Sequence, residues 1–300
     1  MNITQPPPHA GPTAIILVHF GDPAPTIRCL SSLAVHESLP FMVIVADNGP
    51  DTGLRQRMDT LGIQAYIIEA RHNPGFGAAC NLGAAEAIKM GAEALWFLNN
   101  DAVIEIPVLH RLWELALAHP EMALWGTHQN DHGNRLGPDH QPAWFSRNLP
   151  AQPILSDLKG ARALGMSESL SGASIFLTRT SWEVLGPWPE WCFLYWEDAA
   201  WCRRARALGM GLAILDECVQ HDRGTTTGRR SPLTVYYGTR NALLLHREAF
   251  PARRWERVRL AIYGLQKRLF RAKRHELKHA WRGVLDALTE PPRSGKNQEY

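Results

Sequence analysis

Asn99-Asn100-Asp101 closes an apolar run, "ALWFLNNDAVIE" over 94–105, and oxygen-bearing side chains there could hold a hard divalent cation. Mg2+ and Mn2+ keep several waters and are commonly held by one or two protein groups plus substrate phosphates. The same triplet also suits an Asx turn that caps its own backbone. Asp47 follows a second apolar run, "FMVIVADN" (41–48). Its carboxylate could accept from a ribose hydroxyl or a base N–H, although Asp47-Asn48-Gly49 is equally a turn signal. Glu197-Asp198 follows four aromatics between Trp191 and Trp196 and opens a helical stretch. Carboxylates in a first helical turn are favoured by the macrodipole, which keeps them ionised. An ionised carboxylate beside an aromatic, sugar-sized pocket could act as a general base; simple dipole complementation is the plainer alternative. His221 ends another apolar run, and a neutral imidazole there could complete a metal shell or serve structure alone. "RHNPGFGAACNLG" (71–83) carries Gly75-x-Gly77, but position 80 is Cys where a dinucleotide fingerprint needs its third glycine. Glycine still allows a close backbone approach to phosphate or sugar.

These residues need a frame that brings them together. "AIILVHF" (14–20), 41–48, "QAYIIEA" (64–70), "EALWFLN" (93–99) and "MALWGT" (122–127) read as strands. Helices are predicted over about 23–35, with Asp22 as N-cap and Pro23 in the first turn, and over 52–61, 78–90 and 107–119. Such alternation means a mostly parallel sheet covered on both faces, with ligands beyond the C-terminal strand ends. His19, Asp47, Arg71 and Asn99-Asn100-Asp101 all stand at those ends. Residues 128–170 read as a long loop region, 172–178 and 211–224 as strands, 186–196 as an aromatic loop and 197–209 as a helix. Beyond Ser231 the pattern is helical.

Composition narrows the classes. The 300 residues are 45% hydrophobic and 20% charged, as in an ordinary globular protein. No run approaches the roughly 18 apolar residues of a membrane span, and the proline-rich start, residues 1–12, reads as a flexible lead rather than a secretory signal. Five cysteines, an odd number without a CxxC pair, point to buried reduced thiols in a cytosol. Net charge is +3, but residues 247–282 alone carry twelve Lys/Arg against three Glu. In "RRWERVRLAIYGLQKRLFRAKRHELKHAW" (253–281), Val258, Ile262, Leu265 and Leu269 recur at helical spacing among these bases. Such a helix can lie on an anionic membrane or pack on its own domain or a partner. No RNA or DNA fold signature accompanies it, so nucleic acid is not an expected partner.

From about Thr13 to Gly224, and more loosely to Gly283, the sequence resembles the family 2 glycosyltransferases, most of all their bacterial rhamnosyltransferase-like branch. The pieces that carry the resemblance are "AIILVHFGDPAPTIRCLSSL", "IVADNGPDTG", "NPGFGAACNLGAAEA", "LWFLNNDAVI", "LSGASIFLTRTSWEVLG", "FLYWEDAAWCRRARALG" and "VQHDRGTTTG". The resemblance implies a GT-A fold, an α/β sandwich that binds a nucleotide-diphosphate sugar with Mg2+ or Mn2+. It implies a catalytic domain over 13–230, its nucleotide-binding part 13–127 and its acceptor side 128–230, followed by a basic helical region, 231–300. Asn99-Asn100-Asp101 falls on the D-x-D metal motif with Asn99 in place of the first acid. Asp101 is thereby an implied metal ligand, and His221, which matches the family's late histidine, an implied contact to metal or diphosphate. Asp198 is the implied catalytic base and Glu197 its support. Asp47, Asn48, Arg71, Asn73, Gly75, Asn81, Asn99 and Asn100 are the implied nucleotide-sugar set. The expected activity is inverting transfer of a sugar, rhamnose being one candidate, to a glycan or polyprenyl-linked glycan at the inner face of the plasma membrane. A sugar nucleotidyltransferase would need Lys or Arg in "HFGDPAPT", which has neither. The remaining alternative is a non-catalytic nucleotide-sugar or partner-binding protein on a degenerate transferase fold.

Overall fold

A computed structural model describes residues 11–70, 72–153, 158–221, 231–270 and 274–290. The element order is β1 (Thr13–His19), α1 (Pro23–His36), β2 (Phe41–Asp47), α2 (Leu54–Leu61), β3 (Tyr66–Glu69), α3 (Phe76–Lys89), β4 (Ala94–Leu98), β5 (Ala102–Val103), α4 (Leu109–Ala118) and β6 (Met122–Asp131). There follow β7 (Asn134–Leu136), β8 (Asp139–His140), β9 (Ala161–Ala163), β10 (Glu168–Ser169), β11 (Ser174–Thr178), α5 (Arg179–Leu185), α6 (Glu197–Ala207), β12 (Gly211–His221), α7 (Pro232–Ala249), α8 (Arg254–Phe270) and α9 (Arg274–Thr289).

The main sheet runs β3-β2-β1-β4-β11-β6-β12-β5. β1, β2, β3 and β4 are mutually parallel, as are β6 and β12. β11 lies antiparallel between β4 and β6, so all six of those strands end on one edge. The apolar runs of β1, β2 and β4 are continuous because both faces are covered. Ile15, Leu17, Val45 and Trp96 face α1, α2 and α4. Ile16, Ile44, Leu95 and Phe97 face α3, α5 and α6. Each such buried large side chain contributes about 1.5–3 kcal/mol. The small residues of α3 let it approach β1 closely: a Cβ on Gly83 would stand 2.6 Å from Ile16 Cγ2.

Two expectations change. Residues 128–170 are not simply loop. β6 continues to Asp131 and turns into β7, while β9 pairs with β12 and β10 with β8. These strands are two or three residues long, too short to show periodicity. Of the five cysteines four are buried, but Cys218 is only half-buried; all are free thiols. The lead 1–10, Arg71 and the end of the predicted last strand at 222–224 lie outside the described residues.

The predicted C-terminal helices are present, and α7 packs on α8 and α9. Among the described residues no helix is long and apolar enough to cross a membrane.

Candidate active site

The turn after β4 is locked by β5. Two residues only, Ala102 and Val103, pair antiparallel with His221 and Gln220 at the end of β12. That register sets Asp101 beside His221, with Asp101 Oδ1 3.1 Å from His221 Nε2. Both residues are buried, at 9% and 7% exposure. His221 Nδ1 lies 3.1 Å from Gln129 Oε1. A carbonyl oxygen can only accept, so Nδ1 carries a proton and donates to Gln129. Asn99 Nδ2 lies 3.1 Å from His221 Nε2.

Asn100 has a different task. Its Nδ2 donates to Thr26 Oγ1 at 2.9 Å, and Thr26 Oγ1 is 2.8 Å from His19 Nδ1. His19 Nε2 in turn lies 3.0 Å from Thr52 Oγ1. Burial pushes the His19 pKa down, so the ring is neutral and relays hydrogen bonds between the β1, β2 and β4 ends. Asn100 thus steadies the turn from beneath.

Asp47 ends β2 opposite His19. Its Oδ1 accepts from the Gly49 amide at 3.2 Å, the turn its sequence allowed. It also borders a cavity of about 460 Å³ with Gly49, Arg55, Ile67 and Glu69, a nucleoside-sized space. A larger cleft of about 580 Å³ between α1 and α2 contains none of these residues. Asn48 is buried and donates to Asn73 Oδ1 (3.4 Å) and the Gly75 carbonyl (3.3 Å). Gly75 has φ +97°, and a Cβ there would come within 2.8 Å of Phe193 Cα; only glycine fits. All three Asn81 hydrogen bonds go to the 186–196 loop, two to the Trp188 backbone and one to Glu190.

Asp198 stands in the first turn of α6. Its Oδ2 accepts from the Gly172 amide (2.9 Å) and its Oδ1 from the Ala199 amide (2.7 Å). The next residue, Ala173, accepts from the Asn99 amide at 2.9 Å. Two hydrogen bonds therefore tie Asp198 to the edge that carries Asn99 and Asp101, so the structure gathers Asp47, Asp101, His221 and Asp198 along one sheet edge.

The expectation that the helix dipole keeps Glu197-Asp198 fully ionised is corrected. Burial is the larger effect and raises both carboxyls. Asp198 adds to the shift of Glu197, and Asp139 of β8 to that of Asp198. Among the described residues, Glu197 Oε2 is buried without a hydrogen-bond partner. A carboxyl whose folded pKa is raised contributes stability that is complete below the ordinary carboxylate range and is lost as pH rises through the folded value. Thermal denaturation between pH 5 and pH 8 should therefore show a falling Tm, and Glu197→Gln should flatten that fall. An unchanged slope would mean that Glu197 ionises normally.

Nor do the four loop aromatics form an open pocket. Trp196 stacks on Trp144 (6.2 Å, 14°) and Phe193 on Tyr237 of α7 (5.0 Å, 29°). Phe193, Tyr195 and Trp196 all have left-handed φ, 56°, 65° and 74°. Each such residue costs about 1–3 kcal/mol.

Gln129, Gly172 and Thr26 escaped the sequence reading. Gln129 is 2% exposed, and a strand continuing past Thr127 was its one available signal. Gly172 acts through its backbone and Thr26 through a contact 74 residues away, and neither leaves a local trace.

The sequence model of one family, described as Glycosyl transferase family 2, matches residues 14–177. No curated protein matches the sequence. Among solved structures, the mannosyltransferase PcManGT from Pyrobaculum calidifontis in complex with GDP-Man and Mn2+ is similar at TM-score 0.55 and 12% identity, over 93% of this chain and 88% of that one. S. aureus TarS 1-349 in complex with UDP-GlcNAc gives 0.54 and 15%, over 78% and 66%. A further S. aureus TarS structure gives 0.50 and 16% over 77% of this chain, which spans 39% of that one's length. At these identities the likeness is one of fold, and the fold is GT-A.

Proposed function

Because the chain belongs to glycosyl transferase family 2, we propose that it is an inverting, metal-assisted glycosyltransferase whose general base is Asp198. The observation that carries this reading is the single edge on which Asp101 and His221 stand 3.1 Å apart and to which Asp198 is tethered through Gly172.

The residues present fit a divalent cation. An imidazole nitrogen and a carboxylate oxygen, donor types that suit Mg2+ or Mn2+, converge 3.1 Å apart at the strand edge. Among the described residues no group of three or more His, Cys, Asp or Glu gathers as a metal site. Two protein groups plus a diphosphate suffice for Mg2+ or Mn2+. Asp101 and His221 would hold the ion, with Gln129 fixing the imidazole tautomer. When bound, it supplies counter-charge to the leaving diphosphate.

The chain's own residues account for the rest. The cavity beside Asp47 suits the nucleoside, and Asn48, Asn73 and Gly75 shape the loop over which the donor would lie. Asp198 accepts the proton of the acceptor hydroxyl as that oxygen bonds to the sugar C1 and the C1–O bond to the diphosphate breaks. One displacement inverts C1. The two amides on Asp198 orient its carboxylate, while burial strengthens it as a base.

The acceptor we propose is a glycan or polyprenyl-linked glycan, met at a membrane surface. On α8, Trp255 and Tyr263 are 79% and 63% exposed, among exposed Arg253, Arg254 and Arg259. We expect the protein to co-sediment with vesicles containing anionic lipid and not with zwitterionic ones, and Trp255→Ala with Tyr263→Ala to abolish this. Equal sedimentation with both vesicle types would remove the membrane from the proposal.

The whole proposal is tested by thermal shift and nucleoside-diphosphate release with GDP-mannose, UDP-GlcNAc and dTDP-rhamnose, each with Mn2+. A donor at a hundred times its Kd stabilises by about 2.7 kcal/mol. A shift with release supports transfer. A shift without release supports the non-catalytic reading, which Asn99 at the first motif position favours. No shift with any nucleotide sugar contradicts both.

A further inference from the structure

α7 begins 34 residues beyond Asp198, yet its side chains hold the loop that sets that residue's position. Asn241 is fully buried. Its Nδ2 group is shared among three loop carbonyls, Cys192 (2.6 Å), Leu194 (2.9 Å) and Tyr195 (2.9 Å). Arg240 donates to Asn241 Oδ1 at 2.8 Å and to the Trp191 carbonyl at 3.3 Å. Its other nitrogen makes a two-point pair with Glu290 beyond α9, at 2.9 and 2.8 Å. The ring stack of Tyr237 on Phe193 adds a third hold.

The loop so gripped has two functional neighbours. On one side the Phe193 carbonyl accepts from the Phe76 amide at 2.9 Å, against Gly75 of the donor-side loop. On the other side, Trp196 leads straight into Glu197 and Asp198. Three non-glycine residues of this loop hold left-handed backbone, which persists only where surroundings over-determine it. Asn241 supplies that determination, since the three carbonyls it holds flank Phe193 and precede Trp196.

We propose that Asn241, oriented by Arg240, is a positioning residue: it sets the register of the Asp198 base against the donor-side loop at Gly75-Phe76. The C-terminal helices are then part of the catalytic centre and not an appendage. This rests on the reading of Asp198 as the base.

The test uses the full chain and donor hydrolysis with whichever of GDP-mannose, UDP-GlcNAc or dTDP-rhamnose the wild type turns over fastest with Mn2+. In Asn241→Ala, kcat should fall on the order of 10²-fold, the scale of a misplacement of about 1 Å. KM and the Kd for donor should change less than about threefold, because the Asp47 cavity and the Asp101–His221 pair keep their own contacts. Amide exchange should rise across 193–199 and at Phe76 while β6 stays protected. Exchange needs no turnover and is read even if hydrolysis is slow. A residue that served stability alone would lower Tm without this split between kcat and KM. Should Asn241→Ala fail to fold, Arg240→Gln leaves the amide in place but removes the group that orients it, and the same split should appear at smaller size. A folded Asn241→Ala, or failing that Arg240→Gln, with wild-type kcat and unchanged exchange overturns the inference. Asp198→Asn run in parallel separates the two claims. If it is inactive while Asn241→Ala is normal, only the positioning role falls. If it turns over normally, the base and the positioning role fall together.

Discussion

Replacing Asp198 with Asn should lower the rate of sugar transfer or donor hydrolysis by about 10²–10⁴-fold, the contribution of one general base. The substitution keeps shape, and its carbonyl oxygen can still accept from the Gly172 amide, while the Ala199 amide of the same helical turn loses its side-chain acceptor. What it loses is the ability to take a proton. A group that acts only in the transition state leaves ground-state binding alone, so donor Kd should move less than about threefold. Single-turnover rates and isothermal titration with nucleotide sugar and Mn2+ separate the two. Turnover at the wild-type rate would remove Asp198 from the chemistry. Loss of binding together with turnover would instead make it a donor-site residue.

The second large effect is expected at Asp101. Loss even of a supporting group around a metal costs about 10–100-fold, and removal of a ligand should cost at least that. Asp101→Ala should therefore weaken Mn2+-dependent binding of nucleoside diphosphate by 10²-fold or more on this scale, while metal-free nucleotide binding at the Asp47 cavity is retained. The two are distinguished by titrating nucleotide with Mn2+ and with EDTA. Identical loss under both conditions would mean that the variant disturbed the fold of the turn, and unchanged binding with Mn2+ would take Asp101 out of the metal shell.

The strands of the N-terminal half were legible because most of them are continuous apolar runs that only a doubly covered sheet explains. β2 was expected at 41–48 and found at 41–47. The polar residues at the ends of β2, β4 and β12 were legible for the same reason, since carboxylates and amides after such runs must face a crevice. The support of these residues was not. Gln129 needs the pairing of β6 with β12, a contact 92 residues apart. The 192–196 loop takes left-handed backbone at Phe, Tyr and Trp, where local propensity argues against it, and contacts from a distant helix, those of Asn241 and Tyr237 among them, hold it. The ionisation of Glu197 was misjudged because sequence shows the helix start and its dipole but not the burial that overrides it. Local chemistry was readable wherever the element and its neighbour in sequence decide it. It was lost wherever a contact across the fold decides.

The most direct test of a single metal- and base-lined edge is the position of the ion itself. Crystals grown with Mn2+ and UDP or GDP can be measured at the manganese absorption edge. The anomalous peak should lie within coordination distance, about 2.0–2.3 Å, of an Asp101 oxygen and of His221 Nε2, with the diphosphate on its open side toward Asp198. A peak held elsewhere, beyond coordination distance of both Asp101 and His221 Nε2, would contradict the assignment.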